Sequence, residues 1–325
     1  MPEMNIIEAI RDALTMEMTR DERVIVLGLD VGRLGGVFRT TDGLQQRFGK
    51  DRVVDTPLAE AVIIGSAIGL AISGMVPVAE IQFLGFTHQA FHQMGAQLGR
   101  FRYRSRGRYP LPVTVRAPMG GGTKTPEFHP DAIEAQFVQY PALKIVLPSN
   151  PYDAKGMLLQ AIRDPDPVLF IEPERLYRKG RAEVPAEDYT VPFGKARIVR
   201  EGKDVTLVAW SAAVEVCERA AEQLSGEGVQ ATVIDLRTLV PLDEETLVKS
   251  VESTGRCVVV HEAPLSAGFG AEIVATLQEN AFFSLDAPIA RVASYDTPYP
   301  PASLESHWLP SPDRVVKRVR KLLSA

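Results

Sequence analysis

The sequence predicts an α/β protein of two domains, each built on a mainly parallel sheet covered by helices. Three observations predict this. Short apolar runs alternate with helix-period segments along most of the chain, as in "RVIVLGLDVG", "VPVAEIQF", "LPVTVRAP", "LKIVLPS" and "PVLFIEP". These runs are apolar on both faces, as strands of a parallel sheet are when helices cover each side. The alternation breaks once, in a charged, proline-bearing stretch from about Tyr177 to Gly202, and then restarts. A chain of 325 residues suits two domains. The expected boundaries are 1–185 for the first domain, 186–202 for a linker and 203–325 for the second.

The elements follow in order. "MPEMNIIEAIRDALTMEMTRDE" reads as an amphipathic helix with Ile6, Ile7, Ile10 and Leu14 on one side. A first strand, "RVIVLGLDVG", leads into the glycine-rich loop "GRLGGVF", the helix pattern "TDGLQQRFG" and the strand "DRVVDT". From Ala61 to Ala79 there are 19 uncharged residues, a length that approaches a membrane span. Gly65, Ser66, Gly69, Ser73 and Gly74 dilute that run and Pro77 interrupts it. It reads instead as a buried helix of roughly 17 residues followed by a strand. Thr56 would be its N-cap, Pro57 its first residue and Gly74 its C-terminal cap. An amphipathic helix follows from about Thr87 to Phe101, then a strand, the loop "MGGGTKTPEFHPD" and a helix "AIEAQFVQYP". "NPYDAKGMLLQAIRDPD" is a helix with Pro151 near its start. The second domain alternates "DVTLVAWS", "AAVEVCERAAEQLSGEG", "QATVIDLRTL", "DEETLVKSVESTG", "RCVVVHEA", "GAEIVATLQENAF" and "ARVASY", and ends in the amphipathic "DRVVKRVRKLL".

Composition narrows the function classes. Hydrophobic residues make up 45% and charged residues 24%, the balance of a globular protein with a sizeable core. A net charge of −5 argues against general nucleic-acid binding. Cys217 and Cys257 lie in apolar periodic segments without the spacing of a zinc site or disulfide framework, so both are expected as reduced core residues of a cytoplasmic protein. No basic region followed by an apolar one opens the chain, so no secretory signal is read. "RFRYRSRGRY" interleaves five arginines with aromatics; on an acidic chain it suits a subunit contact or an anionic ligand better than nucleic acid.

Two residues stand out chemically. Glu60 opens the uncharged run. A carboxylate in a first helical turn is favoured by the helix dipole alone. Walled by Leu58, Val62 and Ile63, it would also be positioned to share a proton with a ligand, and Gly65 and Gly69 would let another helix approach closely. His129 sits in a loop at the ligand-binding end of a parallel sheet, where it suits a general acid or a donor to a developing anion. It could equally be a loop histidine packed beside Pro130. "GGVF" and "GGG" match neither GxGxxG nor a P-loop, and read as tight turns or close backbone approaches.

Several segments together resemble one family. "LGLDVGRLGGVFRTTDGLQQRFGKDRVVDTPLAEAVIIGSAIGLA", "PVAEIQFLGF", "RYRSRG", "PYDAKGMLLQAIRDPDPVLFIEPERLYR" and "DLRTLVPLDEETL" are similar to the β subunit of thiamine-diphosphate-dependent 2-oxo acid dehydrogenases. The likeness runs over nearly the whole chain in order, and "GGGTKTPEFHPDAIEA" with "EIQFLGF" leans to the bacterial pyruvate type; the branched-chain 2-oxo acid type is the close alternative. The resemblance implies a transketolase-like fold, a pyrimidine-binding domain followed by a C-terminal domain. It implies an oxidoreductase subunit that decarboxylates a 2-oxo acid and acylates a lipoyl group. Glu60 matches the glutamate that hydrogen-bonds the cofactor's aminopyrimidine, Phe86 the aromatic that stacks on it, and Leu58 and Gln82 its neighbours. His129 matches the histidine that assists transfer to the lipoyl group. Where relatives hold potassium through backbone carbonyls, the corresponding places are Leu111, Val113, Ala161, Asp164 and Asp166.

Two departures matter. Relatives read "GEDVG" where this chain reads "GLDVG", so Leu29 replaces a glutamate near the cofactor, with Asp30 retained. The GDG…N signature for magnesium and the diphosphate is missing, since "TDG" at 41–43 lacks both its first glycine and the downstream asparagine. The resemblance therefore implies half of each active site. An α subunit would hold magnesium in an α2β2 heterotetramer, and a dihydrolipoyl acyltransferase core with its lipoyl domain would complete a multienzyme complex. A role mainly in assembling α with the acyltransferase is the alternative.

Overall fold

The computed structural model describes residues 1–324. Two compact units are present: Met1–Met119 with Gln136–Phe193, and Gly120–Ala135 with the chain from Gly194 onward. The first unit contains β1 (Val24–Gly28), β2 (Val53–Asp55), β3 (Val76–Glu80), β4 (Thr114–Met119), β5 (Lys144–Val146) and β6 (Val168–Pro173). These pair in parallel in the order β5-β6-β4-β3-β1-β2, with Val26 beside both Val53 and Val78. Every residue of β1, β3, β4 and β6 is buried, which is why these strands read as unbroken apolar runs.

Helix α1 (Ile6–Arg20) starts at Asn5, whose side chain accepts from the Glu8 N–H while Glu8 returns the bond to Asn5. It buries Ile6, Ile7, Ile10 and Leu14 as the spacing predicts. The second helix, α2 (Glu60–Ile72), is shorter than expected at 13 residues. Thr56 does not cap it: Ala59 takes the cap position with no side-chain bond, and the Thr56 N–H is drawn to the Gly28 carbonyl at the end of β1. Its far end behaves as predicted. Gly74, with φ +93°, turns the chain so that its N–H reaches Ala71 O and the Met75 N–H reaches Leu70 O. Helix α3 (Pro151–Arg163) is capped by Asn150 and carries Pro151 in its first turn.

Two expected helices fold otherwise. The segment foreseen as one helix from Thr87 to Phe101 forms a 3₁₀ stretch at Leu84–Ala90, a π-helical stretch at His92–Leu98 and one α turn at Phe101–Arg104. The wider winding sets Gly95 against Tyr140, where an added Cβ would lie 2.2 Å from the ring. "AIEAQFVQYP" yields only a 3₁₀ turn at Glu134–Phe137, with Glu134 accepting from Trp210 Nε1 at 3.2 Å.

The second unit contains β7 (Arg197–Arg200), β8 (Val205–Ala209), β9 (Ala231–Asp235), β10 (Cys257–Pro264) and β11 (Ala290–Ser294), in the order β11-β10-β8-β9-β7. Only β7, which lies within residues 186–202, pairs antiparallel. Helices α4 (Ala213–Ser225), α5 (Glu244–Thr254), α6 (Gly270–Ala281) and α7 (Pro312–Leu323) flank the sheet. Val315, Val316, Val319 and Leu322 of α7 join Cys217, Val233 and Val258 in one core. Both cysteines are buried and unbridged, and burial pushes both thiols up. No described helix is long and apolar enough to cross a membrane.

Candidate active site

Strands β3, β1 and β2 are neighbours, and the chain leaves each at its carboxyl end. Beyond β1 come Leu29 and Asp30, beyond β2 Leu58 and Glu60, and beyond β3 Gln82 and Phe86. Four predicted site residues, Leu58, Glu60, Gln82 and Phe86, therefore follow the carboxyl ends of two strands that flank β1, the end at which parallel sheets generally bind ligands. Glu60, Gln82 and Phe86 are half-buried. Glu60 occupies the first turn of α2. Its expected apolar wall is open: Ile63 is buried, but Leu58 is 72% and Val62 53% exposed. Val62 lies on a stripe with Gly65 and Gly69, and nothing lies within 4 Å of a Cβ built on either glycine. A carboxyl, a primary amide, an aromatic ring and a buried Thr56 hydroxyl with no partner form a donor and acceptor set suited to a flat, nitrogen-bearing ring.

Beneath this edge lies a cluster that sequence reading missed. Arg116 of β4 donates from Nε to Glu172 Oε1 at 2.7 Å and from Nη1 to Glu80 Oε2 at 2.9 Å. Thr40 donates to Glu80 at 3.1 Å, and the Tyr177 hydroxyl donates to Glu172. Arg116 and Glu172 are each 1% exposed. Burial raises the Glu80 carboxyl above its ordinary range; Arg116 opposes this and Glu172 adds to it. Burial works against the Arg116 charge, but Glu172 and Glu80 outweigh it and raise its pKa. The glycine-rich loop closes over this cluster. A Cβ on Gly36, already at φ +77°, would approach Glu80 Oε1 to 2.9 Å. Phe86, Phe83, Phe38 and Tyr177 form a chain of ring contacts, 5.3, 5.5 and 5.1 Å between successive centroids, that joins the cluster to the site. The available signal was a lone charge within or at the end of each apolar strand, in "VPVAE", "TVR" and "FIE".

His129 belongs to the second unit, within the segment Gly120–Ala135. It is half-buried, with Nδ1 3.3 Å from the Glu127 carbonyl. Three carboxylates hold the segment. Glu262 accepts the Gly121 N–H at 3.1 Å, and Glu305 accepts those of Gly122 and Lys124, each at 3.0 Å. Glu134 receives Trp210, whose ring stacks on His261 at 5.2 Å.

For potassium, the five candidate residues come from two segments zipped together, with Leu111 N–H on Pro165 O and Val168 N–H on Val113 O. The carbonyls of Val113, Leu111 and Ala161 already accept from the N–H groups of Val168, Val113 and Asp164, which leaves each a second lone pair. The carboxylates of Asp164 and Asp166 already hold Lys144 Nζ, at 2.6 and 3.3 Å, and Arg102 also pairs with Asp166. Among the described residues, no group of three His, Cys, Asp or Glu side chains forms a metal cluster.

Known proteins agree with this layout. Residues 2–179 match the transketolase pyrimidine-binding domain and residues 194–315 the transketolase C-terminal domain. The chain is 51% identical over 323 residues to the pyruvate dehydrogenase E1 component subunit beta of Staphylococcus epidermidis, covering 99% of both. The chain belongs to this family of β subunits. The Bacillus subtilis protein of the same name is 50% identical with the same coverage. Among solved structures, a split-gene transketolase described as an inactive β4 tetramer superposes with a TM-score of 0.81 at 26% identity, 99% of each chain covered. A Pichia stipitis transketolase shares the fold, with a TM-score of 0.70 at 13% identity, over 99% of this chain and 46% of its own. Leu58, Glu60, Gln82 and Phe86 all fall inside the span that matches the pyrimidine-binding domain.

Proposed function

We propose that this chain is the β half of a 2-oxo acid dehydrogenase decarboxylating component. It acts with an α subunit on pyruvate and passes the acetyl group to a lipoyl domain. The observation that carries this reading is the grouping of Leu58, Glu60, Gln82 and Phe86 at one sheet edge, in a chain that matches E1 β subunits end to end. Residues 1–185 serve mainly as the cofactor-binding domain and 203–325 as the C-terminal domain; the joining stretch 186–202 is divided between the two units at Phe193 and adds β7 to the second sheet. The compartment is the cytoplasm, the assembly an α2β2 heterotetramer, and the acyltransferase core docks on the C-terminal domain.

Bound thiamine diphosphate supplies a carbon nucleophile and an electron sink for decarboxylation. The chain's own residues prepare that chemistry. Glu60 shares a proton with a pyrimidine ring nitrogen, Phe86 supplies a stacking face, and Gln82 with Leu58 bounds the ring. Glu60 needs water excluded to do this well, and within this chain its wall is open at Leu58 and Val62. The α subunit closes it, laid along the Val62, Gly65 and Gly69 stripe, and holds the magnesium. Leu29 sets an apolar side chain directly after β1 where the family resemblance expects a glutamate. His129 donates to the oxygen that gains negative charge as the acetyl group moves to lipoyl sulfur. Potassium, where bound, would rest on the carbonyls of Leu111, Val113, Ala161, Asp164 and Asp166.

The test is decarboxylation with an artificial electron acceptor, offering pyruvate and 3-methyl-2-oxobutanoate with cofactor and magnesium. Activity on pyruvate is expected only when the chain is co-expressed with α. Glu60→Gln should abolish turnover while the assembly still forms. Turnover by the chain alone, or unchanged turnover in the Glu60 variant, refutes the reading.

A further inference from the structure

The glycine triplet of "MGGGTKTPEFHPD" is not explained by the chemistry above. Each glycine meets a specific side chain of the second unit. A Cβ on Gly120 would lie 2.4 Å from Glu262 Oε2, and one on Gly121 would lie 2.3 Å from the Tyr299 hydroxyl. Gly122 has φ +105° and presents its N–H to Glu305. Lys124 and Phe128, neither a glycine, also have positive φ, at +60° and +77°. A segment holding four such residues between 120 and 128 does not keep one shape unaided, so its surroundings must impose it.

Glu305 is built to impose that shape. It is 6% exposed and opens a short helical turn, Glu305–Trp308. Oε1 accepts the N–H groups of Gly122 and Lys124, and the Tyr299 hydroxyl donates to the same oxygen. Tyr299 is itself fixed, packed edge-on against Trp308 with centroids 4.9 Å apart, while Trp308 Nε1 donates to Thr297. Charge-assisted bonds of this kind are about twice as strong as neutral ones.

We propose that Glu305 is a positioning residue for His129: by clamping the backbone at Gly122 and Lys124, it fixes the loop that carries the histidine. The proposal rests on the transfer role given to His129. It also accounts for the triplet: a Cβ at 120 or 121 would meet Glu262 or Tyr299, and the positive φ of Gly122 turns its N–H toward Glu305.

The experiment uses the chain assembled with its α subunit and a lipoyl domain. Glu305→Ala should speed hydrogen exchange at the Gly122 and Lys124 amides, whereas Glu305→Gln, which keeps an acceptor oxygen, should leave them protected. Glu305→Ala should lower kcat for lipoyl acetylation about 100-fold, the scale of a 1 Å misplacement, with KM for the lipoyl domain unchanged. In a His129→Ala background the same change should lower the rate no further. Tyr299→Phe, a milder change that removes one donor, should give a smaller effect of the same pattern if Glu305→Ala fails to assemble. Independent, multiplying effects of the two substitutions, or unchanged amide protection, overturn the proposal. A silent His129→Ala refutes the histidine's role and with it the catalytic meaning of the clamp, while exchange at Gly122 and Lys124 still reports whether the clamp exists.

Discussion

Glu134 meets the edge of Trp210 and His261 stacks on its face, and their protonation should pull stability in opposite directions. Burial raises the Glu134 carboxyl from 4.5 to about 7, reinforced by Glu262 and opposed by its bond from Trp210. Burial lowers His261 from 6.5 to about 4, and Arg291 lowers it further. The folded chain therefore binds a proton at Glu134 more tightly than the unfolded chain does. That contribution is complete below pH 4.5 and is lost as pH rises through about 7. For His261 the contribution is complete above pH 6.5 and is lost as pH falls through about 4. Each is worth about 3 kcal/mol over its window, at 1.36 kcal/mol per pH unit. Between pH 4.5 and 6.5 the two cancel, and the parent shows little slope from this pair. Glu134→Gln keeps an acceptor for Trp210 and removes one arm, so stability should then fall by about 3 kcal/mol as pH drops from 6.5 to 4.5. His261→Phe should show the reverse, a loss of similar size as pH rises from 4.5 to 7. The assay is denaturant unfolding followed by tryptophan emission, since Trp210 and Trp308 both lie in the second unit. Parallel pH profiles for parent and both variants would refute the reasoning.

Three further outcomes are expected. Arg116→Met should strand Glu80 and Glu172 in the core and cost about 3–5 kcal/mol, read as a lower Tm; adding Glu80→Gln and Glu172→Gln should restore part of it. Gly74→Ala should cost roughly 1 kcal/mol through backbone conformation alone, because nothing lies within 4 Å of the added Cβ; an unchanged denaturation midpoint would count against the cap geometry. Gly65→Leu should leave the chain's own Tm unchanged or slightly raised, yet abolish co-purification with α; retained association would remove the α2 stripe from the interface.

Much of this was legible in the residues. Strands buried on both faces announce themselves as apolar runs, and Gly74 and Pro151 mark helix ends by the backbone geometry they favour, whereas Thr56 does not cap the helix it precedes. Glu60 was visible because one charge beside 19 uncharged residues demands an explanation. The Arg116 cluster was hidden because its members are far apart in sequence and meet only when β3, β4 and β6 lie side by side. The segment Thr87–Phe101 misled because helical spacing does not distinguish α from 3₁₀ or π winding, and the contact of Gly95 with Tyr140 that goes with the wider winding joins residues far apart in the chain. Glu305 carried no local signal, since its partners lie about 180 residues earlier in the chain.

The passage of Gly120–Ala135 into the second unit bears on modularity. Sequence-level domains place this segment wholly in the first module, ahead of a divide between residues 179 and 194. A gene split or recombination at that divide would still give two recognisable domains. It would also part the histidine loop from Glu262, Glu305 and Trp210, so substitutions on the two sides have to be inherited together. Swapping C-terminal halves between relatives should therefore succeed or fail on how well the recipient loop fits three carboxylate and aromatic partners, rather than on the match of the two sheets.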